Sequence, residues 1–131
     1  MFDEQQAMQM ALDISGNHVV CLDLKDNRVY DLFGKAVFGE EMGIEAYYAG
    51  FHPDDLEQFC AMVERMRSGS ETETEWHYRW NANLGGQGAP IWRDIHGHAL
   101  TEFEDGKPVS IITTLIDETE MKSKEREIER L

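Results

Sequence analysis

Chemistry would show first at a few histidines, aspartates, glycines and cysteines. His96-Gly97-His98 sets two imidazoles one residue apart. On an extended strand both would share a face, within reach of one metal ion, and His77 on the preceding strand could add a third ligand. The same rings could sense pH, since an unperturbed imidazole titrates near pH ~6.5. The plainer reading is histidines on a solvated strand face, and no metal is expected. Asp54-Asp55 follows His52-Pro53. Neighbouring residues diverge on a helix, so the two carboxylates form no acid–base pair, and the run reads as a helix start. Gly85-Gly86-Gln87-Gly88 has no following Lys-Ser/Thr, so it reads as a hairpin loop and not a phosphate cradle. P-loop, Gly-x-Ser-x-Gly and dinucleotide fingerprints are all absent, which argues against hydrolytic and nucleotide-binding chemistry. The two cysteines, Cys21 and Cys60, belong to no Cys-x-x-Cys motif. They are expected as reduced, buried thiols of a cytoplasmic protein.

The elements that carry these residues belong to a short acidic chain. It has 131 residues, with 26 acidic against 12 basic side chains and a net charge of −14. That length suits one domain with a short appendage. No basic stripe is available to displace counterions from a nucleic acid, and an anionic membrane surface would repel the chain. No apolar run approaches the ~20 residues a membrane span needs, and residues 1–10 lack the basic and apolar blocks of a signal peptide.

Hydrophobic spacing divides the chain as follows. Residues 1–14 hold an amphipathic helix through Ala7, Met8, Ala11, Leu12 and Ile14, stopped by Ser15-Gly16-Asn17. His18–Leu24 and Arg28–Phe33 form a hairpin around the turn residues Lys25-Asp26-Asn27. The glycine-interrupted stretch 34–51 should contain short helical turns at Glu40–Met42 and Ile44–Ala49. A long helix starts at Pro53, with Asp54 and Asp55 in its first turn, and runs to Arg67. Three strands follow: Thr72–Ala82, Pro90–Glu102 with a kink at Gly97, and Val109–Ile116 after a turn at Glu104–Lys107. The last strand has apolar groups on both faces, so it should be central in its sheet. Asp117 is a good N-cap for a closing helix, with Glu120 three residues on. In that helix Met121, Ile128 and Leu131 have the spacings of heptad positions, which implies continuation in a longer parent. The layout is α+β, with helices over one face of a five-stranded antiparallel sheet.

At this level of detail the sequence resembles a PAS domain, a sensor module of bacterial signalling proteins. The hairpin SGNHVVCLDLKDNRVYDLF (15–33) and the helix start FHPDDL (51–56) are similar to early PAS elements. WHYRW (76–80), WRDI (92–95), EDGKPV (104–109) and LIDETEMK (115–122) follow the PAS-associated C-terminal pattern in order and spacing. The resemblance covers residues 12–122. It implies strand order 2-1-5-4-3, a PAS sensor domain at 15–117 and the start of a signalling helix at 118–131. It also implies an Asp-x-Thr junction at Asp117 and Thr119, where Glu118 replaces the usual small or aliphatic residue. The expected function is non-catalytic signal transduction within a sensor histidine kinase of a two-component system. A diguanylate cyclase input domain and a purely structural dimerisation domain are the alternatives. Dimers would form through the N-terminal helix and the outer sheet face, and an effector domain would follow in the same chain.

Flavin and haem relatives need features that are missing. The flavin cysteine motif is not present around Cys60, and residues 54–67 contain no axial histidine. No cofactor is therefore expected. A small-molecule pocket between sheet and helices would draw on Phe38, Met42, Tyr47, Phe59 and Val63, facing Trp76, Tyr78 and Trp80.

Overall fold

The structure, a computed structural model, describes Asp3, Glu4, Ala7 and residues 18–31 and 41–130. The expected N-terminal helix lies outside the described residues apart from Asp3, Glu4 and Ala7, and so does Phe38. Six strands form one antiparallel sheet: β1 (His18–Asp23), β2 (Arg28–Asp31), β3 (Glu41–Gly43), β4 (Glu73–Asn81), β5 (Trp92–Glu104) and β6 (Lys107–Asp117). Among the described residues three helices accompany them: α1 (Ile44–Tyr48), α2 (Pro53–Arg67) and α3 (Thr119–Arg130).

The sheet order is β3-β2-β1-β6-β5-β4. Without β3 this is the expected 2-1-5-4-3 order, and the last strand is central. The sixth strand is a correction. A helical turn is expected at Glu40–Met42, but Glu41–Gly43 pairs with the open edge of β2, setting Met42 opposite Val29 and Gly43 opposite Arg28. Those three residues satisfy ladder groups on β2 that one isolated helical turn would leave unpaired. The kink expected at Gly97 is also absent. The register break comes later, between Glu102 and Phe103. Gly97 is needed for another reason: a β-carbon there would collide with the Trp76 indole across the strand pair.

Strand alternation gives the sheet two distinct faces. The inner face carries Val20, Leu22, Val29, Trp76, Tyr78, Trp80, Ala99, Ile111 and Leu115, which pack with Phe59, Met62, Val63 and Met66 of α2. Val63 and Met66 are fully buried at the centre. The apolar stripe of α2 therefore supplies the cover that the sheet face requires. His52 caps α2, its Nδ1 accepting from Asp54 N at 3.1 Å. Arg67 in the last turn donates to Leu24 O at 2.8 Å and to Asn27 Oδ1 at 2.7 Å, tying α2 to the β1–β2 turn.

The outer face is mixed. In register it carries Glu73, Leu100, Ile112 and Cys21 in one row, and His77, His96 and Ile116 in another. Leu100 and Ile116 are exposed there.

Candidate ligand cavity and signal junction

A cavity of about 420 Å³ opens at one end of the inner face. Tyr47 of α1 meets Tyr78 and Trp80 of β4 there, with Ile91, Arg93 and Ile95 on β5 or just before it, Leu115 and Asp117 of β6, and His18. The strand register explains the grouping. Tyr78, Ile95 and Asp117 lie side by side on three adjacent strands, and Trp80 lies opposite Arg93. The size suits a small organic molecule, and the lining is mainly apolar.

Tyr47 and Tyr78 are held by their hydroxyls, 3.2 Å apart in a buried setting. Burial pushes the Tyr47 phenol up to about 12, against a partial lowering by its bond to Tyr78. Burial raises Tyr78 too, reinforced by the neighbouring Tyr47. Both phenols are therefore neutral hydrogen-bonding groups at physiological pH.

The charged end of the cavity is also the start of α3. Asp117 Oδ2 accepts from Arg93 Nε at 2.7 Å. Asp117 Oδ1 accepts from Thr119 N at 2.9 Å and from Thr119 Oγ1 at 2.6 Å. Thr119 Oγ1 accepts in turn from Asp94 N at 2.7 Å. Glu118 N donates to Asp94 O at 2.8 Å, and Lys122 Nζ and Arg126 Nη2 lie 3.9 Å from the Asp94 carboxylate. Burial pushes the Asp117 carboxyl up, but the bonds from Thr119 and Arg93 outweigh it and hold the group below the usual carboxylate range.

The predicted pocket residues are thus only partly assembled. Tyr47, Tyr78 and Trp80 line the cavity, and Tyr78 also borders a second groove. Met42 borders a separate depression of about 370 Å³ beside Leu84 and Gly85. Phe59 and Trp76 edge that second groove, which lies between α2 and β4, and Val63 is sealed in the core. The reason is packing. Phe59 fills the space over the sheet, with its ring centroid 4.3 Å from Phe51 and 4.7 Å from Trp76. The free volume is displaced toward the ends of β5 and β6.

Two long-range pairings have no local signal in the sequence. Arg93 lies inside the quoted WRDI run, yet nothing local predicts its reach to Asp117, 24 positions away. Asp55 was assigned only to the helix start. It also receives Arg79 N at 2.8 Å, Arg79 Nε at 3.0 Å and Arg79 Nη2 at 2.9 Å, which joins α2 to β4. Hydrogen bonds from Arg79 are the main cause of a lowered Asp55 pKa.

The histidines separate into two groups. His96 and His98 do share the outer face, but His98 Nε2 pairs with Glu73 Oε1 at 2.7 Å. His77 and His96 stack with centroids 4.4 Å apart, and Glu118 takes the place expected of His98 beside them. Among the described residues no helix is long and apolar enough to cross a membrane.

No family model matches the sequence, and no curated protein matches it. Solved structures do. A sensory box histidine kinase/response regulator from Burkholderia thailandensis superposes with a TM-score of 0.64 at 20% identity, covering 95% of this chain and 98% of that one. The N-terminal domain of a diguanylate cyclase with PAS/PAC sensor from Marinobacter aquaeolei gives 0.62 at 14% identity, over 81% and 98% of the two chains. A PAS domain from Colwellia psychrerythraea gives 0.60 at 14% identity, over 90% and 99%. Strand order, helix placement and these neighbours agree, and the chain has the PAS fold.

Proposed function

We propose that this chain is a non-catalytic sensory module that converts occupancy of the inner-face cavity into a change at the start of α3. One observation carries the reading: Asp117 is at once a wall of the cavity and the cap of the helix. A small, mainly apolar molecule with a polar end addressing Arg93 would compete for the guanidinium that Asp117 now holds. The cap would then be weakened or reset, and α3 would pass the change to an effector domain following in the same chain. The named neighbours support a sensor histidine kinase of a two-component system as the parent, with a diguanylate cyclase as the alternative. The free thiols of Cys21 and Cys60 fit a cytoplasmic setting. The exposed Leu100 and Ile116 on the outer face support homodimerisation there, as the module would need to pair output helices.

A thermal-shift screen of small metabolites on this chain tests the reading. A ligand at 100 times its Kd should stabilise the fold by about 2.7 kcal/mol. It should also change amide exchange at the start of α3, and Arg93→Ala should weaken its binding. If no metabolite stabilises the chain while it still dimerises, the structural dimerisation reading replaces this one.

A further inference from the structure

We propose that His77, His96 and Glu118 form a binding site for a zinc-class divalent cation, which pins the start of α3 to the outer sheet face. The site lies on the opposite face from the cavity and uses none of its residues. Its existence does not depend on the sensory reading; only its consequence for signalling does.

The geometry begins with the strand pair. His77 and His96 are directly opposed on β4 and β5, so both imidazoles rise from one spot on the outer face. Glu118 follows β6 immediately, and its side chain is only 14% exposed. His96 Nδ1 lies 3.3 Å from Glu118 Oε1, and His77 Nδ1 lies 3.8 Å from Glu118 Oε2. One ligand atom from each of the three residues falls within 4.8 Å of the others. Zinc–nitrogen and zinc–oxygen bonds near ~2.0–2.1 Å in a tetrahedron put neighbouring ligand atoms roughly 3.3 Å apart. The His96–Glu118 edge already has that length. The two rings are nearly parallel, at 15°, so one must turn for both nitrogens to face the same ion. The His77 side chain is 59% exposed and has room to do so.

A second observation fits the same arrangement. His96 Nε2 is cut off from solvent and has no hydrogen-bond partner among the described residues. Glu75 Oε2 lies 3.9 Å from it. If Nδ1 binds the metal, Nε2 carries the proton, and a small movement of the exposed Glu75 would accept it. A ligating imidazole backed by a carboxylate is the usual outer-shell arrangement of histidine metal sites. Lys122 Nζ, 4.0 Å from Glu118 Oε2, is the resident cation that zinc would displace. Three protein ligands leave a fourth position for water or a further ligand. Two imidazoles and a carboxylate select zinc-class ions over magnesium or calcium, which prefer all-oxygen shells.

The test is titration of the chelator-treated chain with zinc chloride by calorimetry, with cobalt chloride as the spectroscopic probe. The proposal expects one ion per chain and a tetrahedral cobalt spectrum. His96→Ala and Glu118→Gln should each weaken binding by more than the ~10–100-fold typical of losing an outer-shell partner. His77→Ala alters an exposed ring, so it guards against loss of folding in the other variants and should weaken binding likewise. His98→Ala, on the same face but paired with Glu73, should change nothing. Absence of zinc binding, stoichiometry other than one, or an equal effect of His98→Ala would each overturn the site. Because the cavity residues are untouched, a negative result here leaves the ligand screen unaffected, and the converse also holds.

Discussion

Replacing Asp117 by alanine removes two links at once, and their sizes can be worked out separately. Loss of an Asp cap costs about 0.5–2 kcal/mol of helix stability. The Arg93–Asp117 pair adds less, because both side chains are about one-third exposed and solvent screening keeps such pairs at roughly 0–1 kcal/mol. Together they come to about 0.5–3 kcal/mol, centred on about 1–2 kcal/mol. It should be felt locally. Met121 and Ile128 of α3 are 51% and 70% exposed, so the helix is not held by a buried apolar face. Its start depends on the links to Asp117, Asp94 and Glu118. Amide exchange in α3 should therefore quicken about 5–30-fold in Asp117→Ala, while the amides of β6 keep their protection. Mass-spectrometric hydrogen exchange resolves the two segments. Asp117→Asn separates the two links: asparagine caps as well as aspartate but gives Arg93 no charge, so α3 exchange should rise less than about 5-fold. Unchanged α3 exchange in Asp117→Ala, or an equal loss of protection in β6, would refute the assignment of Asp117 as the local latch.

Two further outcomes follow from the buried and paired groups. Tyr47→Phe strands the Tyr78 hydroxyl in a buried site and should cost about 1–3 kcal/mol in urea unfolding, whereas Tyr47→Phe combined with Tyr78→Phe removes both partners and should recover much of that loss; additive losses would show that the bond does not matter. The Asp55 carboxyl has its folded pKa depressed by hydrogen bonds from Arg79, so its contribution is fully present above the unfolded value near ~4 and is lost as pH falls through the lower folded value. Asp55→Asn should therefore flatten the decline of stability between about pH 5 and pH 2, and an unaltered acid limb would count against the pairing.

The fold was legible wherever a pattern repeats within one element. The alternation of Trp76, Tyr78 and Trp80 fixed the inner face of β4, and the two-sided apolar content of residues 109–116 placed β6 at the centre of the sheet. Pro53, Asp54 and Asp55 marked the start of α2. β3 was not legible because three residues with two glycines nearby have no period to read. Their state is decided by the unpaired edge of β2, which is a tertiary fact. The site was legible in composition but not in position. Aromatic residues at 47, 59, 76, 78 and 80 all reach the inner side of the sheet, yet which of them face free volume depends on how Phe59 fills the middle of the core. Long-range pairs such as Arg93–Asp117 and Arg79–Asp55 carry no local signal, since each joins positions 24 apart.

The replacement of the usual small or aliphatic junction residue by Glu118 has a structural logic that the sequence could only mark as a departure. Strand alternation continues across the end of β6, so consecutive junction residues address opposite faces of the sheet. Asp117 turns toward the cavity and Arg93, and Glu118 turns toward His77 and His96. An aliphatic residue at position 118 could only pack on the outer face. A carboxylate there, with its side chain 14% exposed, needs polar, cationic or metal partners, and the two imidazoles and Lys122 lie around it. The start of α3 is consequently gripped from both faces by chemically different contacts. A perturbation on either face changes one grip while the backbone bonds to Asp94 persist, which is the condition for two independent inputs to bias a single helix. Glu118→Leu should abolish the outer grip alone. Response to an inner-face ligand should survive it, and any response to zinc should not.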